Sequence, residues 1–152
     1  MLIYRLGTSR YPVWDGAGAA IRGGRWNPPG ASVIYAAATQ SLAMLERLMQ
    51  GADLGDTLLV EADVPDDLSF DDLLRSPPSG WADMGSPSAR AAGAGWLAAG
   101  RTALLRVPSA VVPREANWVV NPAHPDAARI RVGALETVAW DPRLFGIPAL
   151  QP

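Results

Sequence analysis

The chain has 152 residues, 49% hydrophobic and 18% charged, with a net charge of −2; that is enough apolar chain for a single globular domain with its own core, and too little net charge for a disordered segment. All 13 cationic residues are arginines, there is no cysteine, and His124 is the one histidine, which excludes disulfides, thiolate nucleophiles, Cys- or His-rich metal sites, lysine Schiff-base chemistry and a two-histidine nuclease mechanism. A pI of about 5.3 lacks the basic footprint of a nucleic-acid binder, and with no apolar leader and no 18-residue apolar run the expectation is a cytoplasmic protein with no membrane span.

In chain order, residues 2–6 alternate enough for a short strand ended by Gly7. Residues 8–31 hold five glycines and three prolines and read as loop, with room for one short helical turn. SVIYAA (32–37) is β-branched and aromatic and predicts a buried strand. Thr39 or Ser41 can cap the next helix, which runs to about Gln50 and stops at Gly51. Residues 57–65 predict a strand closed by Pro65, and residues 66–85 a long surface excursion rich in Asp, Ser, Pro and Gly. Ser86-Pro87 opens a helix to about Ala99, with Gly100 as its stop. Four further strands are expected at 103–112, 117–120, 129–133 and 136–140. No linker divides the chain, so residues 1–152 are expected to form one mixed α+β domain.

Several residues along this path could carry chemistry. On the first long helix Leu42, Leu45, Leu48 and Met49 gather on one side, Glu46 lies at the edge of that sector, and Arg47 points away. Glu46 is then either a boundary carboxylate that meets water or an arginine, or a carboxylate held rigidly at a cleft edge. Tyr35 shares a strand face with Val33 and Ala37, as a core tyrosine or as the wall of a pocket for a flat heterocycle. Arg25 follows Gly23-Gly24 and precedes Trp26-Asn27, an arrangement that suits a bidentate grip on phosphate but fits an exposed turn equally well. Ser109 lacks a GxSxG elbow, so a ligand-binding or turn hydroxyl is more economical than a hydrolytic triad. Asn117 and the NPAHP run at 121–125 read as turn chemistry.

Taken in order, GGRWNPPG (23–30), VIYAA (33–37), LAMLERL (42–48) and VPSAVVPREANWVVNPAHPD (107–126) resemble the RES domain, the toxin of RES–Xre toxin–antitoxin pairs. The resemblance spans nearly the whole chain and is poorest over residues 66–100. It implies a fold similar to ADP-ribosyltransferase toxins, with mixed sheets and a few flanking helices, and an activity on NAD+ as substrate, with no separate cofactor and no metal. It places the family's arginine, tyrosine, acidic residue and serine on Arg25, Tyr35, Glu46 and Ser109 as catalytic residues, with Arg22, Trp26 and Asn117 beside Arg25 and Tyr35 in binding NAD+. It further implies an Xre-type antitoxin that covers the cleft around Arg25 and Glu46, and in some members a protein target for ADP-ribose. The reading from a different class is a non-catalytic module that binds a nucleotide or an acidic partner.

Overall fold

Along the second strand Ile34 and Ala36 turn to one side and Tyr35 and Ala37 to the other, and this alternation divides the molecule into two layers of core. The computed structural model describes residues 1–51 and 54–145. Seven strands form one sheet: β1 (Leu2–Thr8), β2 (Ile34–Ala37), β3 (Thr57–Asp63), β4 (Phe70–Asp72), β5 (Leu104–Pro108), β6 (Ala116–Val120) and β7 (Arg131–Thr137). Their spatial order is β4-β5-β6-β2-β1-β3-β7. Every pairing is antiparallel except β4 with β5.

On one face, Ile3, Ile34, Ala36, Ala62, Leu104, Trp118 and Val120 are buried under Val64, Leu68 and Ile130. Among the described residues the chain segments around Leu68 and Ile130, and no long helix, close this side. The opposite face carries the helices. Val33, Leu105, Val107 and Val119 pack with Ala89 and Trp96 of α3 (Pro87–Ala99), and Ala37 packs with Leu42 and Ala43 of α2 (Gln40–Met49). Each buried valine or leucine among these contributes about 1.5–3 kcal/mol by leaving water, and each alanine less, so the helices are held by their contacts with the sheet. A shorter helix, α1 (Ala17–Arg22), precedes the Gly23–Gly24 turn.

The capping expectations agree with what is seen. Thr39, not Ser41, caps α2, its Oγ1 accepting from the Leu42 N–H at 3.1 Å, and Gly51 follows with φ +62°. Ser86 caps α3 by accepting from the Ala89 N–H at 3.2 Å, with Gly100 left-handed at its end.

Five expectations need correction. Gly7 does not end β1: it pairs with Leu58 and the strand continues to Thr8, the missing Cβ making room for the Val13 methyls. The strand expected over 57–65 ends at Asp63. The excursion after it contains β4, three residues long and too short to show a period, and tied to its neighbourhood by Asp71–Arg101 and Asp72–Arg106 ion pairs. The strand expected over 103–112 stops at Pro108 because Ser109 turns the chain. Residues 125–129 form a 3-10 turn, and the two strands expected over 129–133 and 136–140 are one strand, β7. Gly133 sits inside β7, opposite a register shift between Val60 and Ala62, where a Cβ would stand 2.9 Å from the Glu61 carbonyl oxygen; it marks a bulge rather than a stop. The single-domain expectation also spans residues 52–53 and 146–152, which lie outside the described residues.

Candidate active site

The helix-bearing face of the sheet gathers the polar residues singled out in the sequence. Tyr35 pairs with Val119, and Ala37 with Asn117, so Tyr35 and Asn117 are diagonal neighbours on one face, positions about 7–8 Å apart in an antiparallel pair. Val107 pairs with Asn117 on the other side, and Ser109, two residues beyond Val107, continues that face at the end of β5.

Around Asn117 a carboxylate is fixed. The Ser109 hydroxyl donates to Glu46 Oε1 at 2.7 Å, and the Asn117 amide donates to the same oxygen at 2.7 Å. Ser109 is fully buried, and its oxygen in turn accepts the N–H groups of Val111 and Val112, both at 3.0 Å. The turn is closed by Ser109 N–H to the Glu115 carbonyl at 3.0 Å. Backbone thus orients the serine, the serine and asparagine orient one carboxylate oxygen, and among the described residues Oε2 makes no hydrogen bond. The Ser109 proton is held by the Glu46 carboxylate, so the serine acts as a hydrogen-bond donor.

This arrangement changes the reading of α2. Leu42 and Ala43 are buried, while Leu45 and Met49, expected on the inward face, are 42% and 72% exposed. Residues 39, 42, 43 and 46 form the inward side, so Glu46 is one turn beyond the buried pair and half-buried. Its two donors offset the cost of leaving water.

Around Tyr35 a loop is fixed. Its hydroxyl donates to Asn27 Oδ1 at 2.7 Å and accepts from the Trp26 N–H at 3.0 Å. Burial pushes the phenol up to about 12, against the opposing pull of the Trp26 N–H and of the Arg25 and Arg90 charges, so the hydroxyl stays protonated at neutral pH. Asn27, fully buried, donates to the carbonyls of Ala19 (2.9 Å), Pro28 (3.1 Å) and Ala31 (2.9 Å). It ties α1, the Pro-Pro-Gly turn and Tyr35 together. Gly24 is required here, because a Cβ would meet the Tyr35 hydroxyl oxygen at 2.5 Å.

Arg25 projects from this loop, half-buried. Its Nη1 donates to the carbonyls of Trp81 and Asp83, both at 2.7 Å. Nη1 carries two hydrogens, so both are used. The Nε–Nη2 edge, the one suited to a bidentate oxyanion, makes no hydrogen bond among the described residues.

The other predicted site residues fall as follows. Trp26 is 2% exposed and stacks on Trp81 with ring centroids 6.3 Å apart; its ring belongs to the core, and it serves the site through its backbone N–H. The Asn117 amide is spent on Glu46. Arg22 is exposed at the end of α1. Three residues were not found from sequence. Asn27 was legible only as a polar residue before Pro-Pro. Arg5, largely buried and held below the usual guanidinium range by desolvation against Asp15, donates to the carbonyls of Val13, Asp15 and Tyr35. Arg90 lies on α3, where the sequence carries no motif. A cavity of about 370 Å³ between β4 and α3, lined by Asp71, Asp72, Trp96 and Arg101, contains none of the predicted site residues, and the polar clusters on the sheet carry the chemical argument.

Known proteins share this chain's pattern. The RES domain family matches residues 2–141. The Prs ADP-ribosylating toxin of Sphingobium sp. (strain YBL2) is 41% identical over 140 residues, covering 86% of each chain. A Toxin Res of Photorhabdus laumondii subsp. laumondii is 38% identical over 136 residues, covering 83% of this chain and 85% of its own. Among solved structures, a chain of the M. tuberculosis MbcT–MbcA toxin–antitoxin complex superposes with a TM-score of 0.71 at 22% identity, covering 95% of this chain and 86% of that one; the α+β fold is therefore shared.

Proposed function

The chain belongs to the RES domain family, and on that premise we propose that it is the toxin of a toxin–antitoxin pair, acting in the cytoplasm on NAD+. It cleaves the nicotinamide–ribose bond and passes ADP-ribose to water, inorganic phosphate or a protein side chain. The observation that carries this reading is the Glu46 carboxylate, fixed through Oε1 by Ser109 and Asn117, on the same sheet face as the Arg25 loop.

Heterolysis of this bond sends its electron pair to the pyridine nitrogen, so nicotinamide leaves neutral and needs no strong general acid. The ribose is left with oxocarbenium-like charge at C1′, a demand shared with glycoside hydrolysis. A carboxylate that is already oriented stabilises that charge without reorganising. The acceptor then bonds to C1′ and gives up its proton to solvent. Arg25 offers its Nε–Nη2 edge to the substrate's phosphates, and Tyr35 acts by holding the loop under it. The name of the 41%-identical relative supports a protein side chain as acceptor, and the toxin–antitoxin complex that shares the fold supports an antitoxin partner, expected to be of Xre type.

The test is to incubate the chain with NAD+, with and without phosphate and cell extract, and to identify products by mass spectrometry. Nicotinamide is expected together with free ADP-ribose, ADP-ribose-1″-phosphate or a modified protein. Glu46→Gln should reduce nicotinamide release by about 100-fold or more with little change in melting temperature. A well-folded Glu46→Gln chain with full activity would remove the charge-stabilising role.

A further inference from the structure

Five arginines, Arg101, Arg106, Arg129, Arg131 and Arg143, pair with aspartates. Arg25 and Arg90, in common with several other arginines, form no ion pair among the described residues, and these two lie at one loop. Arg90 comes from α3, and its Nε makes a long 3.5 Å hydrogen bond to the carbonyl of Gly24, the residue before Arg25. One turn further along, α3 rests directly on the same loop, for a Cβ on Gly93 would stand 1.7 Å from the Trp26 carbonyl oxygen. Helix and loop backbones are in contact, so the place of Arg90 relative to Arg25 is set by the fold and not by two flexible side chains. Both cations act on the same Tyr35 hydroxyl.

Two like charges carried by this loop and the helix against it repel each other, and among the described residues no carboxylate pairs with either to offset them. Both are anchored through carbonyls, by one nitrogen each, which leaves the rest of each guanidinium fork available. That combination recognises an anion with more than one phosphate. Resting on the NAD+ reading above, we propose that Arg90 is a second cation of the substrate grip, and that Arg25 and Arg90 together bind the diphosphate of the dinucleotide.

Calorimetric binding of ADP-ribose, inorganic pyrophosphate and adenosine to the full chain separates this role from a structural one. Arg90→Gln should weaken ADP-ribose and pyrophosphate by about tenfold or more, the range for a hydrogen bond to a charged group, and leave adenosine unchanged. Arg90→Lys, which keeps the charge, should restore much of the affinity, and decides the matter if the glutamine variant melts early. With NAD+ the loss should appear in KM more than in kcat. Affinity of Arg90→Gln for ADP-ribose within twofold of wild type would overturn the assignment, as would failure of the wild-type chain to bind ADP-ribose. If ADP-ribose binds through Arg90 but no nicotinamide is released, the diphosphate site stands and the cleavage reading falls; if nicotinamide is released with Arg90→Gln unchanged in KM, the reverse holds.

Discussion

The Tyr35 hydroxyl donates to Asn27 and accepts from Trp26, so ionising it would break the first bond and bury a charge. Burial accordingly moves its pKa from 10.0 to about 12. The unfolded chain loses this proton near pH 10 and the folded chain near 12, so between those values the folded state binds more protons. Stability from this residue is therefore complete below pH 10 and is lost as pH rises toward 12, by at most about 2–3 kcal/mol. Urea midpoints measured from pH 8 to 11.5 should fall more steeply for the wild-type chain than for Tyr35→Phe. The variant starts about 1–3 kcal/mol less stable, because the Trp26 N–H and Asn27 Oδ1 lose their partner. Parallel curves for the two proteins would show that the phenol is not the titrating group. A general-base role for Tyr35 is hard to reconcile with a hydroxyl so placed, which is why a positioning role is assigned to it.

At the scale of elements, α3 is defined by two glycines with opposite consequences. Gly93 touches the Trp26 backbone, whereas a Cβ on Gly95 would meet nothing within 4 Å. Gly93→Ala must lift α3 from the arginine loop and should cost about 3 kcal/mol or more, as severe overpacking does. Gly95→Ala should gain about 0.5–1 kcal/mol of helix stability. Thermal unfolding of the two variants checks both signs; equal effects would mean that α3 does not seat on residues 24–26. By sequence alone the two glycines are indistinguishable, two poor helix formers within residues 87–99. The same limit explains α2: hydrophobic periodicity pointed to Leu45 and Met49 as inward, but the Glu46 hydrogen bonds and the Leu42–Ala43 contact turn the helix so that both stay outside. Caps, by contrast, were legible, because Ser86-Pro87 and Gly51 act within a few residues of themselves. Asn27, Arg5 and Arg90 were not, since each works through carbonyls of segments whose approach depends on the whole sheet.

In the whole molecule, the Arg25 loop and Glu46 come from one end of the stretch 25–117 and the donors Ser109 and Asn117 from the other, and they come to one face because β2 lies between β1 and β6. They share one face, and the helices that flank them leave apolar side chains outside: Ile21 on α1 and Met49 on α2 are 78% and 72% exposed, and Met84, next to the Asp83 carbonyl that holds Arg25, is fully exposed. A protein that seats on this face covers grip and carboxylate together and removes apolar surface from water as it does so. If the toxin reading holds, expression of the chain alone should arrest growth, and co-expression with the antitoxin encoded beside it should restore growth. The purified complex, assayed far above its Kd, should release nicotinamide at no more than about a hundredth of the rate of the free chain. Glu46→Gln should lose the growth arrest yet still co-elute with the antitoxin, because the substitution preserves the shape of a side chain whose acceptor oxygen faces Ser109 and Asn117. A complex that keeps full activity would mean that the partner binds elsewhere, and growth arrest by Glu46→Gln would mean that the toxicity does not run through this carboxylate.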